Sequence, residues 1–411
     1  MRSLFCLLLF STMCSPVRAD DWPQILGPSR NGVAENEKIA DSFPGTGPKM
    51  IWEFKVGSGF AGPSVRDGVA YFFHRIDDEE ILEARNAKTG DRKWKVGFPS
   101  DFSASFSSDN GPRCVPLATK SRIYVFGAGG GLYCVDAKTG DRIWERQTYK
   151  EFKAQDGFFG AGSTPLLEKN LLIVNVGSRD GAGIVAFDSQ TGKTKWKSTD
   201  NQASYSSPVA ATVDGTRHVV VVTRYNTVSL DPKDGAVRFS FPFGKRGPTV
   251  NGANPVILGD KLFLTASYGI GSLYRRITDT SAEEIWTDVD GIASQYSTFA
   301  PSNGMLFGLD GRQDNGPGTS ALVCLDPKTQ KEKWRKTGFD YGSVILADGK
   351  LIILTNTGKL ILVKASPDSY QELGRATVLS STSSGYRLPA LSNGRLYIRD
   401  DSTLKCIRLA E

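Results

Sequence analysis

Histidine is nearly absent from this chain: His74 and His218 are the only two in 411 residues. A Ser-His-Asp site or a histidine metal cluster would have to be built on one of them without supporting spacing, so both read as structural or surface side chains. Cysteine is also scarce. Beyond Cys6 and Cys14 near the start there are Cys114, Cys134, Cys324 and Cys406, with no adjacent pair. After Leu4–Phe10 no stretch approaches the ~20 apolar residues that a membrane-spanning helix needs. Charge of one sign is missing too, since 50 basic side chains face 44 acidic ones. That balance does not suggest nucleic acid, whose binders concentrate positive charge on one face. Finally, no amphipathic helical period of two turns or more follows residue 19. With 44 glycines and 20 prolines spread along the chain, many short strands and turns are expected, and the fold class is all-β.

The first nineteen residues read as a signal peptide. Arg2 supplies a basic start, Leu4–Phe10 the apolar run, and Val17-Arg18-Ala19 a small-residue cleavage site ahead of Asp20. Ser11-Thr12-Met13 lacks the small residue expected before a lipidated Cys14, so a soluble periplasmic or secreted product is expected. Residues 20–48 are polar and rich in Pro and Gly, and read as an extended segment laid over the domain and pinned by Trp22.

From residue 49 the chain repeats itself. Leu132–Trp144 (LYCVDAKTGDRIW) is a strand, a tight turn and a strand ending in a ring. EARNAKTGDRKW ends likewise at Trp94, IVAFDSQTGKTKW at Trp196, VSLDPKDGAVRF at Phe239 and LVCLDPKTQKEKW at Trp334. Unit starts are marked independently at Pro63, Pro116, Pro165, Pro208, Pro255, Pro301, Val344 and Pro389, 43 to 53 residues apart. Unit ends fall at Trp52, Trp94, Trp144, Trp196, Phe239, Trp286, Trp334 and a weak Leu373. Both ladders count eight, and a fixed period of this length means a repeat architecture.

The last unit has room for three strands only, while Met50–Val56 is a spare strand carrying the ring that this unit lacks. Joining the two closes a circle and removes a sheet edge. The expectation is an eight-bladed β-propeller of four-stranded antiparallel blades over 49–411, the last blade closed by the N-terminal strand. Each ring can wedge against the next blade and bury on the order of 200 Å2, worth about 5 kcal/mol at most. Glycine in each turn permits positive φ, and the recurring Asp136, Asp188, Asp231 and Asp326 bond the turn backbone rather than calcium, because each lies in a different blade. Cys134, Cys324 and Cys406 share one strand position with Ala186 and Ser229, and so read as small buried hydrophobes.

Asp136–Trp144 and Asp188–Trp196 resemble the tryptophan-docking repeat of the pyrroloquinoline-quinone-like β-propeller family, roughly A-x-D-x-x-T-G-x-x-x-W. The resemblance covers nearly the whole mature chain. Asp21-Trp-Pro-Gln with Gly27–Gly32 is similar to the opening of many secreted bacterial members. It implies either a quinone- and calcium-dependent dehydrogenase or a non-catalytic scaffold such as the outer-membrane assembly lipoprotein. Units 5 and 7 depart from the repeat, and the paired cysteines that many of those dehydrogenases carry beside the quinone are absent.

Other constellations are read plainly. Gly57–Gly62 satisfies G-x-G-x-x-G after a strand, but Pro63 and an alternating pattern follow instead of a helix, so it is a loop between blades. Gly127–Gly131 fits a hairpin turn. Three residues before the unit starts stand Phe60, Arg113, Tyr205, Tyr341 and Tyr386, with Gly162, Gly252 and Thr298 in the other units. They are expected to ring one mouth of the central channel. Long loops at 97–112, 147–163 and 242–254 enter them and carry Phe98, Phe102, Phe106, Phe158, Phe159 and Arg246 as exposed anchors for a protein or cell-envelope partner. No catalytic residue, metal ligand or cofactor is assigned. The alternative expectation is a quinoprotein dehydrogenase oxidising an alcohol or sugar, with Arg113 beside the quinone carboxylates; a hydrolase or lyase finds no acid–base pair.

Overall fold

The computed structural model describes residues 21–155, 157–247, 249–380 and 387–410. Residues 1–20, with the expected cleavage position at Ala19, lie outside the described residues.

Among the described residues the strands form eight sheets arranged as successive blades. Blade 1 runs through Ser64–Arg66, Val69–Ile76, Glu79–Asn86 and Arg92–Pro99, each strand antiparallel to the next. Blades 2 to 6 repeat this order over 117–147, 166–198, 209–242, 256–288 and 300–339. Blade 7 spans 342–377. Blade 8 takes its three inner strands from 390–408 and its outer strand from Met50–Lys55. The closure inferred from the spare strand is therefore the closure observed. The only α-helix among the described residues is the single turn Thr148–Phe152.

Blade contacts follow one rule. Trp94 donates its indole N–H to the Ala137 carbonyl of blade 2 at 3.1 Å, and Trp144, Trp196, Trp286 and Trp334 reach Ser189, Pro232, Pro327 and Ser366 in the same way. The ring lies on the turn glycine of the next blade. A Cβ on Gly140 would stand 2.6 Å from Trp94, and its φ is +79°, so this position needs glycine twice over. Asp136 accepts from the Lys138 and Thr139 amides at 2.8 and 2.9 Å, which fixes the turn and holds its carboxyl below the usual range.

Each outer strand carries a bulge immediately before its ring position, as between Arg142 and Trp144. The extra residue re-aims the ring toward the neighbouring blade. Directly opposite the ring on the third strand stands a small residue in six blades, Ala84, Cys134, Ala186, Ser229, Cys324 or Cys406, whereas in blade 5 Tyr274 faces Trp286. The cysteine slot is thus the space that a ring needs, and all four described cysteines are free and buried. Blade 7 inverts the pair. Gly374, not Leu373, holds the ring position, and Leu362 stands opposite.

The N-terminal segment does not lie over the outside of the domain. Trp22 pairs with Val65 on the inner strand of blade 1, and Pro23 accepts from Ala118 of blade 2. Arg30 reaches the Thr164 and Pro165 carbonyls of blade 3 and the Pro208 carbonyl of blade 4. Val33–Ala34 then adds a parallel fifth strand to the inner edge of blade 7. Glu37 caps the Asn393-Gly394 turn of blade 8, and Lys38 pairs with Asp348. The segment fills the axial channel because the inner strands offer unpaired backbone there, which its own backbone at Trp22, Pro23 and Val33–Ala34 and the Arg30 side chain satisfy. Trp22 and Phe72 share the largest buried cluster with the closure strand.

Candidate binding site on the looped face

One face of the propeller carries the loops between blades and the hairpins joining second to third strands; the docking turns are on the other. At the centre of the looped face Phe60, Arg113, Gly162, Tyr205 and Gly252 line one cavity of ≈330 Å3. These five of the eight entry positions are joined there by residues that the sequence pattern did not single out: Tyr268, Gln295, Tyr296 and Asp314. Its floor is Ile25 with Val115 and Leu388, so the channel plug is also the bottom of the cup.

The remaining sequence candidates divide. Tyr341 is fully buried (0% exposed) and does not line the cup. Its hydroxyl accepts from the Tyr296 and Ser297 amides at 2.9 Å each and meets Ser294 Oγ at 2.8 Å, so it fixes the loop that presents Tyr296. Burial raises its pKa to about 12. Thr298 is buried and accepts from the Asn254 amide. Tyr386 lies outside the described residues. Phe98 and Phe102 are buried rather than exposed anchors. Phe98 ends the outer strand of blade 1 and stacks on Tyr133 at 3.9 Å, while Phe102 folds under Gly160. Alternation inside a strand and a turn inward explain why loop membership alone misplaced them. Phe106 is the exposed anchor (67%), set edge-on to Phe158 at 5.0 Å. Phe159 is half-buried against Tyr205, and Arg246 is exposed beside the Tyr268 hairpin.

Three rim residues are held by hydrogen bonds. Tyr205 accepts from the Phe159 amide at 2.9 Å, and Gln295 donates to the Tyr268 hydroxyl at 2.8 Å. Tyr268 has φ +68°, a backbone state that a bulky ring adopts only when its surroundings impose it. Arg312 covers its ring at 4.9 Å. A chemical signal was available in the sequence: the Tyr268-Gly269 pair one residue beyond the apolar strand Lys261–Ala266.

The Gly57–Gly62 loop has a structural reason. Two buried arginines of blade 8 bond its carbonyls: Arg387 to Gly59 at 2.7 Å, and Arg399 to Gly57 at 2.7 Å and Ala61 at 3.4 Å. A Cβ at Gly62 would stand 2.1 Å from the Leu388 carbonyl. The glycines therefore let this loop approach the closing blade. Of the histidines, His74 accepts from the Gly57 amide at 2.8 Å, and His218 bonds Ser229 Oγ at 2.9 Å; burial lowers both pKa values.

The cup is a poor match for a calcium-bound quinone. Calcium needs six to eight oxygen ligands, and among the described residues no group of three His, Cys, Asp or Glu is placed to hold a metal. The guanidinium of Arg113 bonds the Gly111 and Asp109 carbonyls of its own loop and faces the Phe60 ring at 5.1 Å. A carboxylate, Asp314, also lines the cup.

Comparison with known proteins agrees with this architecture. A family profile described as outer membrane protein assembly factor BamB matches residues 45–157 and 77–336. A quinohemoprotein alcohol dehydrogenase of Comamonas testosteroni is 31% identical over 142 residues, 33% of this chain and 19% of that protein. BamB of Burkholderia pseudomallei is 28% identical over 152 residues, 36% of this chain and 33% of that protein. The alignments thus span a fifth to a third of those relatives. The structure of Moraxella catarrhalis BamB superposes with TM-score 0.61 at 14% identity, covering 88% of this chain and 97% of that one. The quinohemoprotein alcohol dehydrogenase ADHIIG of Pseudomonas putida HK5 gives 0.67 at 13%, covering 95% and 80%. With its repeats, its docked tryptophans and a profile match running from residue 45 to residue 336, this chain belongs to the pyrroloquinoline-quinone-like propeller family described by BamB.

Proposed function

We propose that this protein is a non-catalytic extracytoplasmic propeller that binds a protein or cell-envelope partner through its looped face. The observation that carries the reading is the cup itself: an aromatic bowl with an apolar floor and a rim ring, Phe106, that is 67% exposed. Rings in a rigid, pre-formed depression lose little entropy on binding and are the side chains that dominate interfaces. The buried Tyr341 fixes the loop that presents Tyr296, and the channel plug supplies the floor at Ile25. Likeness to BamB, in sequence over part of the chain and in fold over most of it, supports the same reading.

A second reading, a quinoprotein dehydrogenase oxidising an alcohol or sugar, is favoured by the sequence likeness to the Comamonas enzyme. Against it stand the missing ligand set and the position of Arg113. Photo-crosslinking separates the two. A benzophenone side chain at Phe106 is expected to trap a discrete partner in the native envelope, whereas one at Val237, exposed on the outer strand of blade 4, traps none. Equal adducts from both positions would remove the reading. Stoichiometric retention of quinone with calcium, with dye-linked turnover, would replace it by the second.

A further inference from the structure

Behind Tyr205 the cup opens into a second cavity, ≈450 Å3, between blades 3 and 4. Five rings line it, Phe106, Tyr149, Phe158, Tyr205 and Tyr225, together with Gln202, Ser204 and two arginines. No Asp or Glu is among its described lining residues. Arg224 is committed: it bonds the Thr249 and Gly247 carbonyls at 2.8 and 2.7 Å and covers Phe158 at 4.8 Å. Arg179 is exposed at the mouth. One arginine is thus part of the wall and one is placed to reach a ligand.

At the inner end stands Asn175, 2% exposed, the last residue of the second strand of blade 3. Neither its Oδ1 nor its Nδ2 has a hydrogen-bond partner. A buried carboxamide orphaned on both sides is costly, and such a group in a native fold calls for an explanation. Its ligand must offer a donor and an acceptor side by side, which excludes a bare phosphate or carboxylate at that point. Vicinal hydroxyls meet the requirement. A peptide group would meet it too; the ring faces that line the cavity favour the flat C–H face of a pyranose, and a peptide is one outcome of the test.

We propose that this cavity binds a uronic-acid-containing saccharide: adjacent ring hydroxyls on the Asn175 carboxamide, the sugar carboxylate on Arg179, and the C–H face against the tyrosine rings. Arginine suits a carboxylate because its planar fork can bond both oxygens. The cavity volume matches one or two pyranose units. The assignment concerns the side cavity, which shares Phe106, Gly162 and Tyr205 with the cup.

Calorimetric titration of the whole protein tests it, with digalacturonate as the acidic probe and cellobiose as the neutral one. Digalacturonate is expected to bind at least about tenfold more tightly than cellobiose, the share of one charge-assisted pair. Arg179→Ala, a surface change without a folding role, should remove that preference. Asn175→Leu should weaken digalacturonate by about tenfold or more while raising the melting temperature, since it deletes an unpaired buried amide. Equal binding of both sugars, binding that survives either substitution, or capture of an acidic peptide with no sugar binding would each overturn the assignment. Phe106 lines both cavities, so crosslinking repeated from Tyr296, which lines the cup and not the side cavity, reports on the partner surface separately.

Discussion

The indole N–H of Trp52 bonds the Ala87 carbonyl at 3.2 Å, although 35 residues separate them and they belong to the last and first blades. The residue that completes blade 8 thus also docks it onto blade 1, resting on Gly90, where a Cβ would stand 2.9 Å from the ring. Sheet closure and ring docking are one device at this seam. Trp52→Ala should cost about 3–5 kcal/mol, the usual loss for a large buried ring. Trp52→Phe, which keeps most of the ring but loses the hydrogen bond, should cost nearer 1–2 kcal/mol. Urea unfolding checks both, and equal losses would mean that the bond contributes nothing.

Blade 7 makes a different demand. Its ring position is Gly374, and a Cβ there would meet Phe43 of the N-terminal segment at 3.1 Å. Phe43 packs into the cluster that holds Leu362, so the segment supplies the ring that the blade lacks. Gly374→Ala should destabilise the protein by about 1 kcal/mol through that contact, and Phe43→Ala by about 1–3 kcal/mol. In the double variant the first cost should vanish. A denaturation cycle that finds simple additivity would contradict the substitution of one ring for the other.

These two cases mark how far the sequence could be read. Ring, turn glycine and the small third-strand residue recur at fixed spacing, so the blades, their number and the closing strand followed from pattern alone. Leu373 was misjudged because blade 7 carries glycine, not a ring, at that position, so Gly374 leaves no mark in an aromatic or hydrophobic pattern. The plug was missed for another reason: Trp22, Ile25 and Arg30 have no period, and their partners are backbone groups of distant strands. At the cup, entry positions found Phe60, Arg113 and Tyr205 but also Tyr341, since spacing fixes a residue's height in the channel and not the direction of its side chain. Tyr268 and Tyr296 depend on loop conformation, which spacing does not encode.

Tyr341 and Tyr205 should therefore behave oppositely when altered. Removing the Tyr341 hydroxyl leaves the Tyr296 and Ser297 amides without their acceptor, and Tyr341→Phe should cost about 2–4 kcal/mol. Tyr205 is half-exposed, so water can replace its hydroxyl and Tyr205→Phe should cost under about 1 kcal/mol. Thermal unfolding of the two variants tests the ranking, and a reversal would mean that Tyr205 rather than Tyr341 organises the wall.

The last prediction concerns pH. Glu80 is buried between blades 1 and 2, where it accepts from the Ala128 amide at 2.8 Å. Burial pushes its carboxyl up to about 7 from an ordinary 4.5, with Arg75 and Arg113 opposing the rise. Its folded pKa is raised, so between 4.5 and about 7 the folded chain keeps a proton that the unfolded chain has released. Its contribution is fully present below pH 4.5 and is lost as pH rises through about 7, amounting to at most about 3 kcal/mol. His74 and His218 act in the other direction. Their folded values are lowered, so stability that they allow above 6.5 is lost as pH falls below it. Wild-type stability is thus the sum of opposing slopes, and the Glu80 part is isolated by difference. Glu80→Gln keeps an acceptor for Ala128 and removes the titration. Its stability relative to wild type should rise steadily from pH 5 to pH 8 in buffered urea titrations, and a flat difference would mean that Glu80 stays ionised when buried.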